Sequence, residues 1–284
     1  DRPPASPEEA PNSPSTPPRL RVTDAVKVAP VSVPVSLPSR TIPSIDFERH
    51  VMPLFTKGGC NTGSCHGSFQ GESDLQLSLF GHDASEDFGA LFDPDYGPFV
   101  TLDEAQKSPL FRKPTELARH KGGERFAPDS WEARLLKAWI ESGATHEEGT
   151  GEVTALQLNP ETLVFRRAGA RQGLRVEATF ADGSKEDVTS FCKFESRDEY
   201  VAEVDAFGQV TARNPGDIAV VVSYGDEVVA TRALVANPRT LLGSLKEAVL
   251  PPSGAPGTDH YIDQTVFSKL HALNIATSEA ASDD

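Results

Sequence analysis

The chain has 284 residues, room for two domains of ordinary size, with 38% apolar and only 7% aromatic side chains. A formal net charge of −15 repels phosphate backbones and anionic lipid head groups, which argues against nucleic-acid and membrane-surface binding. No window holds the roughly 20 consecutive apolar residues of a membrane-crossing helix, and 23 prolines with 22 glycines speak against one large helical body.

The opening Asp1-Arg2-Pro3-Pro4 reads as a mature or trimmed end from which an export signal has gone. Residues 1–44 are proline-rich and poor in aromatics, the composition of an extended, disordered tether. Phe47, Val51, Leu54 and Phe55 then fall on one helical face, with Asp46 placed to cap it and Pro53 to kink or restart it. This helix ends at Gly58-Gly59. After an apolar run at 75–80 and a short helix over 85–92, Trp131, Leu135, Leu136, Trp139 and Ile140 mark a last helix. Asp129 or Ser130 caps it and Gly143 stops it.

From Glu152 the apolar period changes from 3.6 to 2. Leu174, Val176, Ala178 and Phe180 alternate with polar residues before the Asp182-Gly183 turn, and further short strands follow up to Val235. Pro238 and Pro251-Pro252 mark a linker. Ile262, Val266, Leu270 and Leu273 have helical spacing without an evident partner, like the first helix of a further domain. The expected organisation is therefore a tether (1–44), a small α-helical domain (45–147), a β-sandwich (152–236), a linker (237–258) and the start of another domain (259–284).

The segment Gly59-Cys60-Asn61-Thr62-Gly63-Ser64-Cys65-His66-Gly67 carries the chemistry. Covalent haem attachment needs two thiols that reach two vinyl groups and an imidazole just beyond the second thiol. Here four residues separate the cysteines instead of two, so the loop must bulge outward, with Gly63 as the source of backbone freedom. A Cys60–Cys65 disulfide and a zinc site completed by a distant ligand remain alternatives. Cys192 stands apart and reads as a half-buried strand residue.

Gly59-Cys60…Cys65-His66-Gly67, Leu77-Ser78-Leu79-Phe80-Gly81, Lys113-Pro114-Thr115, His120 to Phe126 and Trp139-Ile140 resemble the planctomycete-type cytochrome c domain. In that family this domain precedes a bacterial immunoglobulin-like domain of group two and domains of unknown function. Ala181-Asp182-Gly183-Ser184 and Gly208-Gln209-Val210-Thr211-Ala212 resemble phrases of that second domain. The resemblance implies a cytochrome c-like α-helical domain followed by an immunoglobulin-like sandwich, and one haem c.

For the second axial ligand, Met52 is placed inside the first helix, His50 on its surface and His82 in a polar loop role. His146, His260 and His271 fall too far along the chain. His120 is the preferred ligand: it lies in a glycine-bearing loop between the haem motif and the last helix, where the resemblance to cytochrome c domains implies the distal ligand, and a solvent-exposed loop histidine is the alternative. Arg112, Lys113, Lys121 and Arg125 form a cationic cluster, either a solvated face or partners of the haem propionates, Arg125 first. The site expected is Cys60, Cys65, His66, His120 and Arg125, with His66 and His120 on the iron. The function expected is electron transfer in a periplasmic or otherwise extracytoplasmic protein, to a redox partner or to further domains of a longer chain. A cell-surface scaffold with a disulfide, or a haem sensor or enzyme with an open distal side, are the alternatives. No hydrolytic constellation is visible in the spacing.

Overall fold

The computed structural model describes residues 45–68, 74–95, 98–237 and 260–275. The tether expected at 1–44 and most of the linker expected at 237–258 lie outside the described residues.

Asp46 caps the first helical segment by accepting a 2.8 Å hydrogen bond from Arg49 N at its Oδ1. One π-helical turn, Phe47–Val51, runs into α1, Met52–Gly58, with Pro53 in the first turn of α1, where the missing N–H costs nothing. Phe47, Val51, Leu54 and Phe55 are all buried. The helix closes on Gly59 in the left-handed conformation. Short helices follow at Ala84–Leu91 (α2) and Pro109–Arg112 (α3). Trp131–Glu141 (α4) begins at Ser130, whose side chain accepts from Ala133 N. Phe47 packs on Trp139 with ring centroids 5.4 Å apart, which joins the first and last helices of this part.

Beyond residue 150 the chain forms β1 (Val153–Asn159), β2 (Thr162–Phe165), β3 (Arg171–Gly173), β4 (Arg175–Phe180) and β5 (Lys185–Asp187). These are followed by β6 (Lys193–Ser196), β7 (Ala202–Val204), β8 (Gln209–Ala212), β9 (Gly216–Tyr224) and β10 (Glu227–Val235). They pair as three sheets, β1-β4-β5, β2-β10-β9-β6 and β3-β8-β7. The β9–β10 hairpin turns at Gly225, and β10 pairs in parallel with β2 on its other edge. Alternate residues of β4 and β9 are buried, including Val176, Ala178, Phe180, Val220 and Val222.

The expected fold class is corrected by this arrangement. The described residues form a mixed, β-dominant structure of ten strands in three sheets with few short helices, not a small α-helical cytochrome c-like domain beside an immunoglobulin-like β-sandwich. The apolar runs that read as helices are only two to three turns long. Pro53 and Pro109 fall in first turns, Gly59, Gly81 and Gly143 take positive φ at or near helix ends, and much of the described stretch between residues 59 and 130 is loop. On the β side, β3, β5 and β7 are three residues long and each pairs with a single partner, β8, β4 and β8 respectively, so the strands divide among three sheets.

The described residues from Ile45 onward belong to one compact unit, and polar contacts fasten the first helical segment to the sheets. The Arg49 guanidinium donates to Ser184 Oγ, Glu186 and Asp182 at 2.8–3.0 Å and lies 4.0 Å from the Phe180 ring centroid. Lys57 Nζ donates to the carbonyls of Ser190 and Ala206, and Trp131 meets Phe191 edge-on at 5.4 Å. The helix leading into Cys60 is thus held from the β side. Helix α5, Tyr261–Ala272, finds a partner where none was expected: Asn237 N donates to Leu273 O, and Lys269 pairs with Asp217. Among the described residues no helix is long and apolar enough to cross a membrane.

Candidate haem-binding cleft

Immediately after α1 the chain makes a closed loop. Cys60 N donates to Phe55 O, Cys65 N to Thr62 O, and His66 N returns to Cys60 O at 2.9 Å. This last bond brings the two cysteines and the histidine onto one side despite the four-residue spacer. Gly63 and Ser64 project to solvent, as the long spacing requires. Gly63 itself has neither a positive φ nor a crowded environment, so the expected role of its backbone freedom is corrected. The demanding position is Gly67, where a Cβ would stand 2.3 Å from the Asn61 carbonyl oxygen. Gly67→Ala should therefore destabilise the protein by about 2–3 kcal/mol through overpacking. A thermal melt unchanged from the wild type would contradict that placement.

A second segment braces this loop. Leu77 N donates to His66 O at 2.7 Å, and Phe80 N to Asn61 O at 3.1 Å. Thr56 Oγ1 donates to Phe80 O and accepts from Asn61 Nδ2. Asn61 is fully buried, and its Oδ1 has no partner among the described residues. Sequence reasoning missed Thr56, Asn61 and the Leu75 carbonyl. The only signal was the phrase at 77–81, which says nothing of what it touches.

His66 and His120 meet across a cleft walled by Phe55, Leu75, Leu77, Leu110, Phe126 and Leu136, with Cys60 in its lining. Their rings are parallel to within 4° and their centroids lie 6.3 Å apart. His66 Nδ1 bonds Leu75 O at 3.0 Å, and His120 Nδ1 bonds Gly123 O at 2.9 Å. A carbonyl only accepts, so each Nδ1 carries a hydrogen, and in the neutral ring it is Nε2 that keeps the lone pair. Neither Nε2 has a hydrogen-bond partner among the described residues. Burial is the main cause that lowers the His66 pKa. The Leu75 bond opposes it, while His120, Lys113 and Arg125 add to the lowering, so this imidazole is neutral at pH 7. Gly122 is needed beside the second ring, because a Cβ there would stand 2.8 Å from His120 Cε1.

Cys60 and Cys65 are free thiols, not joined to each other. Burial pushes the Cys60 thiol up to about 12, so it keeps its proton. Cys65 lies at the open end of the cleft, with Lys113, Arg119, Lys121 and Arg125. Arg125 Nη2 stands 3.8 Å from its sulfur. All five residues singled out from the sequence therefore converge on this cleft.

The remaining candidates are placed elsewhere. His50, expected at the surface, is buried: its Nδ1 accepts from Asp46 N, and its Nε2 faces Glu186 at 3.2 Å. Met52 is buried beside Gly81, His82 pairs with Asp226, and His146 with Glu48. Cys192 is fully buried, not half-buried, and sits 3.3 Å from Val188 O. Among the described residues no three His, Cys, Asp or Glu side chains are grouped to hold a metal ion.

No protein-family model and no curated protein sequence matches the chain. Among solved structures, the chain is similar to the S-layer protein rSbsC, at 15% identity and a TM-score of 0.27. The match covers 30% of this chain and spans only 13% of that one, a likeness too slight to bear on fold or role.

Proposed function

We propose that the chain carries one covalently attached haem c and passes single electrons through it. The observation that carries this reading is the imidazole pair, parallel within 4° with centroids 6.3 Å apart. An imidazole nitrogen stands about 2.0–2.1 Å from a first-row metal and its centroid about 1.1 Å further back, which puts two rings on opposite sides of one metal about 6.2–6.4 Å apart. The Nδ1 bonds to Leu75 O and Gly123 O are the outer contacts that orient a metal-binding histidine. Two protein ligands suffice for a haem iron, since the porphyrin supplies the other four nitrogens.

The residues of the cleft fit such a group. Cys60 and Cys65 would form the two thioethers: each thiol gives its sulfur to one vinyl carbon and its hydrogen to the other, with no net oxidation. Both are free for this. Arg125 and Lys113 offer cations to the propionates. Bound there, a haem supplies a one-electron iron(III)/iron(II) couple. The apolar walls keep water from the ring, and the backbone carbonyls hold both imidazoles in the ligating tautomer. His66 and His120 would together hold the iron and leave no place for oxygen or peroxide, which favours electron transfer over catalysis. The absence of a methionine ligand favours a lower potential.

The resemblance to planctomycete-type cytochrome c sequences supports the same reading. Thioether attachment takes place outside the cytoplasm, so the chain would work in the periplasm or beyond, exchanging electrons with a partner protein or with further domains. The scaffold alternative needs a Cys60–Cys65 bond, and the separate thiols do not favour it. A pyridine haemochrome spectrum, taken after expression with haem-maturation machinery, tests the proposal. A c-type spectrum with one haem per chain supports it, and a colourless protein contradicts it.

A further inference from the structure

The cleft opens through a cationic rim on a strongly acidic protein. Residues 112–125 hold Arg112, Lys113, Arg119, Lys121 and Arg125 against only Glu116 and Glu124, while the whole chain carries −15. Four of these five cations line the open end of the cleft, next to Cys65 and His66. Arg112, Arg119, Lys121 and Arg125 are exposed. Among the described residues Arg112, Arg119 and Arg125 make no ion pair with a carboxylate. Arg112 instead donates to Leu117 O at 3.1 Å across an exposed surface, and the Leu117 side chain is half exposed.

A haem has two propionates, which Lys113 and Arg125 are placed to meet, so Arg112 and Arg119 remain as positive charge that the cofactor of the proposed function does not neutralise. The surplus sits where the thioether edge would reach the surface. A positive spot on a negative body repels an acidic protein everywhere except at that spot, which selects both partner and orientation.

We propose that this rim, centred on Arg112, Leu117 and Arg119, is the docking surface for a redox partner protein whose own electron-transfer site lies in an acidic patch. The partner's chemistry rests on the electron-transfer reading above; the positive potential of the rim does not. Both are tested on the reduced, haem-loaded full chain by NMR titration with hexacyanochromate(III), a paramagnetic and redox-inert trianion. Broadening should concentrate on the backbone amides of residues 112–125 and of Cys65. It should fall at least about threefold in about 1 M salt, where the Debye length is about 3 Å. The double variant Arg112→Glu, Arg119→Glu should abolish it, with haem content and the other amide shifts unchanged.

A kinetic measurement carries the same sign test. One electron passes from the reduced protein to hexacyanoferrate(III), giving the oxidised protein and hexacyanoferrate(II). Net charge alone makes that rate rise with salt; the rim makes it fall, and the double variant reverses the slope. Broadening that is absent or spread over the β sheets, or a rate that rises with salt in the wild type, would overturn the docking surface while leaving the haem assignment intact. A chain that holds no haem would overturn the proposed function instead, and its electron-transfer partner with it.

Discussion

Replacing both Cys60 and Cys65 with alanine should reduce covalently retained haem from one per chain to none, the largest single effect expected of any substitution here. Both sulfurs belong to the loop closed by the 2.9 Å bond from His66 N to Cys60 O, and that bond is made by backbone atoms alone. The double variant therefore keeps its loop and its imidazole pair. It should still take up haem, but only reversibly, and release it to acidified acetone. Each single variant should keep one thioether and show the red-shifted haemochrome of a ring with one vinyl group left. Haem that stayed bound under denaturing conditions in the double variant would show attachment elsewhere.

Replacing His120 with alanine should convert a six-coordinate iron that excludes carbon monoxide into a five-coordinate one that binds it in the reduced form. The side chain is exchangeable in this sense because it is oriented within its own turn, Nδ1 to Gly123 O at 2.9 Å, and does not brace the loop of His66. The opposite ring is fixed independently by Leu75 O. Added imidazole should restore the wild-type spectrum, an outcome that loss of folding would not give. A variant with an unchanged spectrum and no carbon monoxide binding would remove His120 from the iron.

The local elements were legible where sequence chemistry is short-range. The Asp46 cap, the buried face of Phe47, Val51, Leu54 and Phe55, the restart at Pro53, the Ser130 cap and the Asp182-Gly183 turn all follow from residue types at fixed spacing. The convergence of Cys60, Cys65, His66 and His120 on one cleft was legible for a different reason: a thiol pair with an adjoining imidazole reads as a haem motif, that reading asks for a second ligand, and few histidines are placed to offer it.

What stayed hidden depends on partners distant in sequence. Nothing near His50 announces that Glu186 and Phe191 will bury it, so an amphipathic reading put it at the surface. The backbone carbonyls of Leu75 and Gly123, which fix both tautomers, have no side-chain signature at all. The fold class failed for a similar reason. Apolar periodicity identifies a helix or strand but does not fix its length against Pro and Gly breaks, nor how three-residue strands are shared among sheets. The partner of α5 was missed because Asn237 and Asp217 lie in a segment that reads only as the end of the β region.

The account stands most directly on one measurement: the intact mass of the chain, purified under denaturing conditions after expression with haem-maturation machinery. It predicts the mass of the polypeptide plus one haem, with the added mass on the peptide that spans Cys60 to His66. A polypeptide lighter by two hydrogens and carrying no haem, its Cys60 and Cys65 joined, would contradict it.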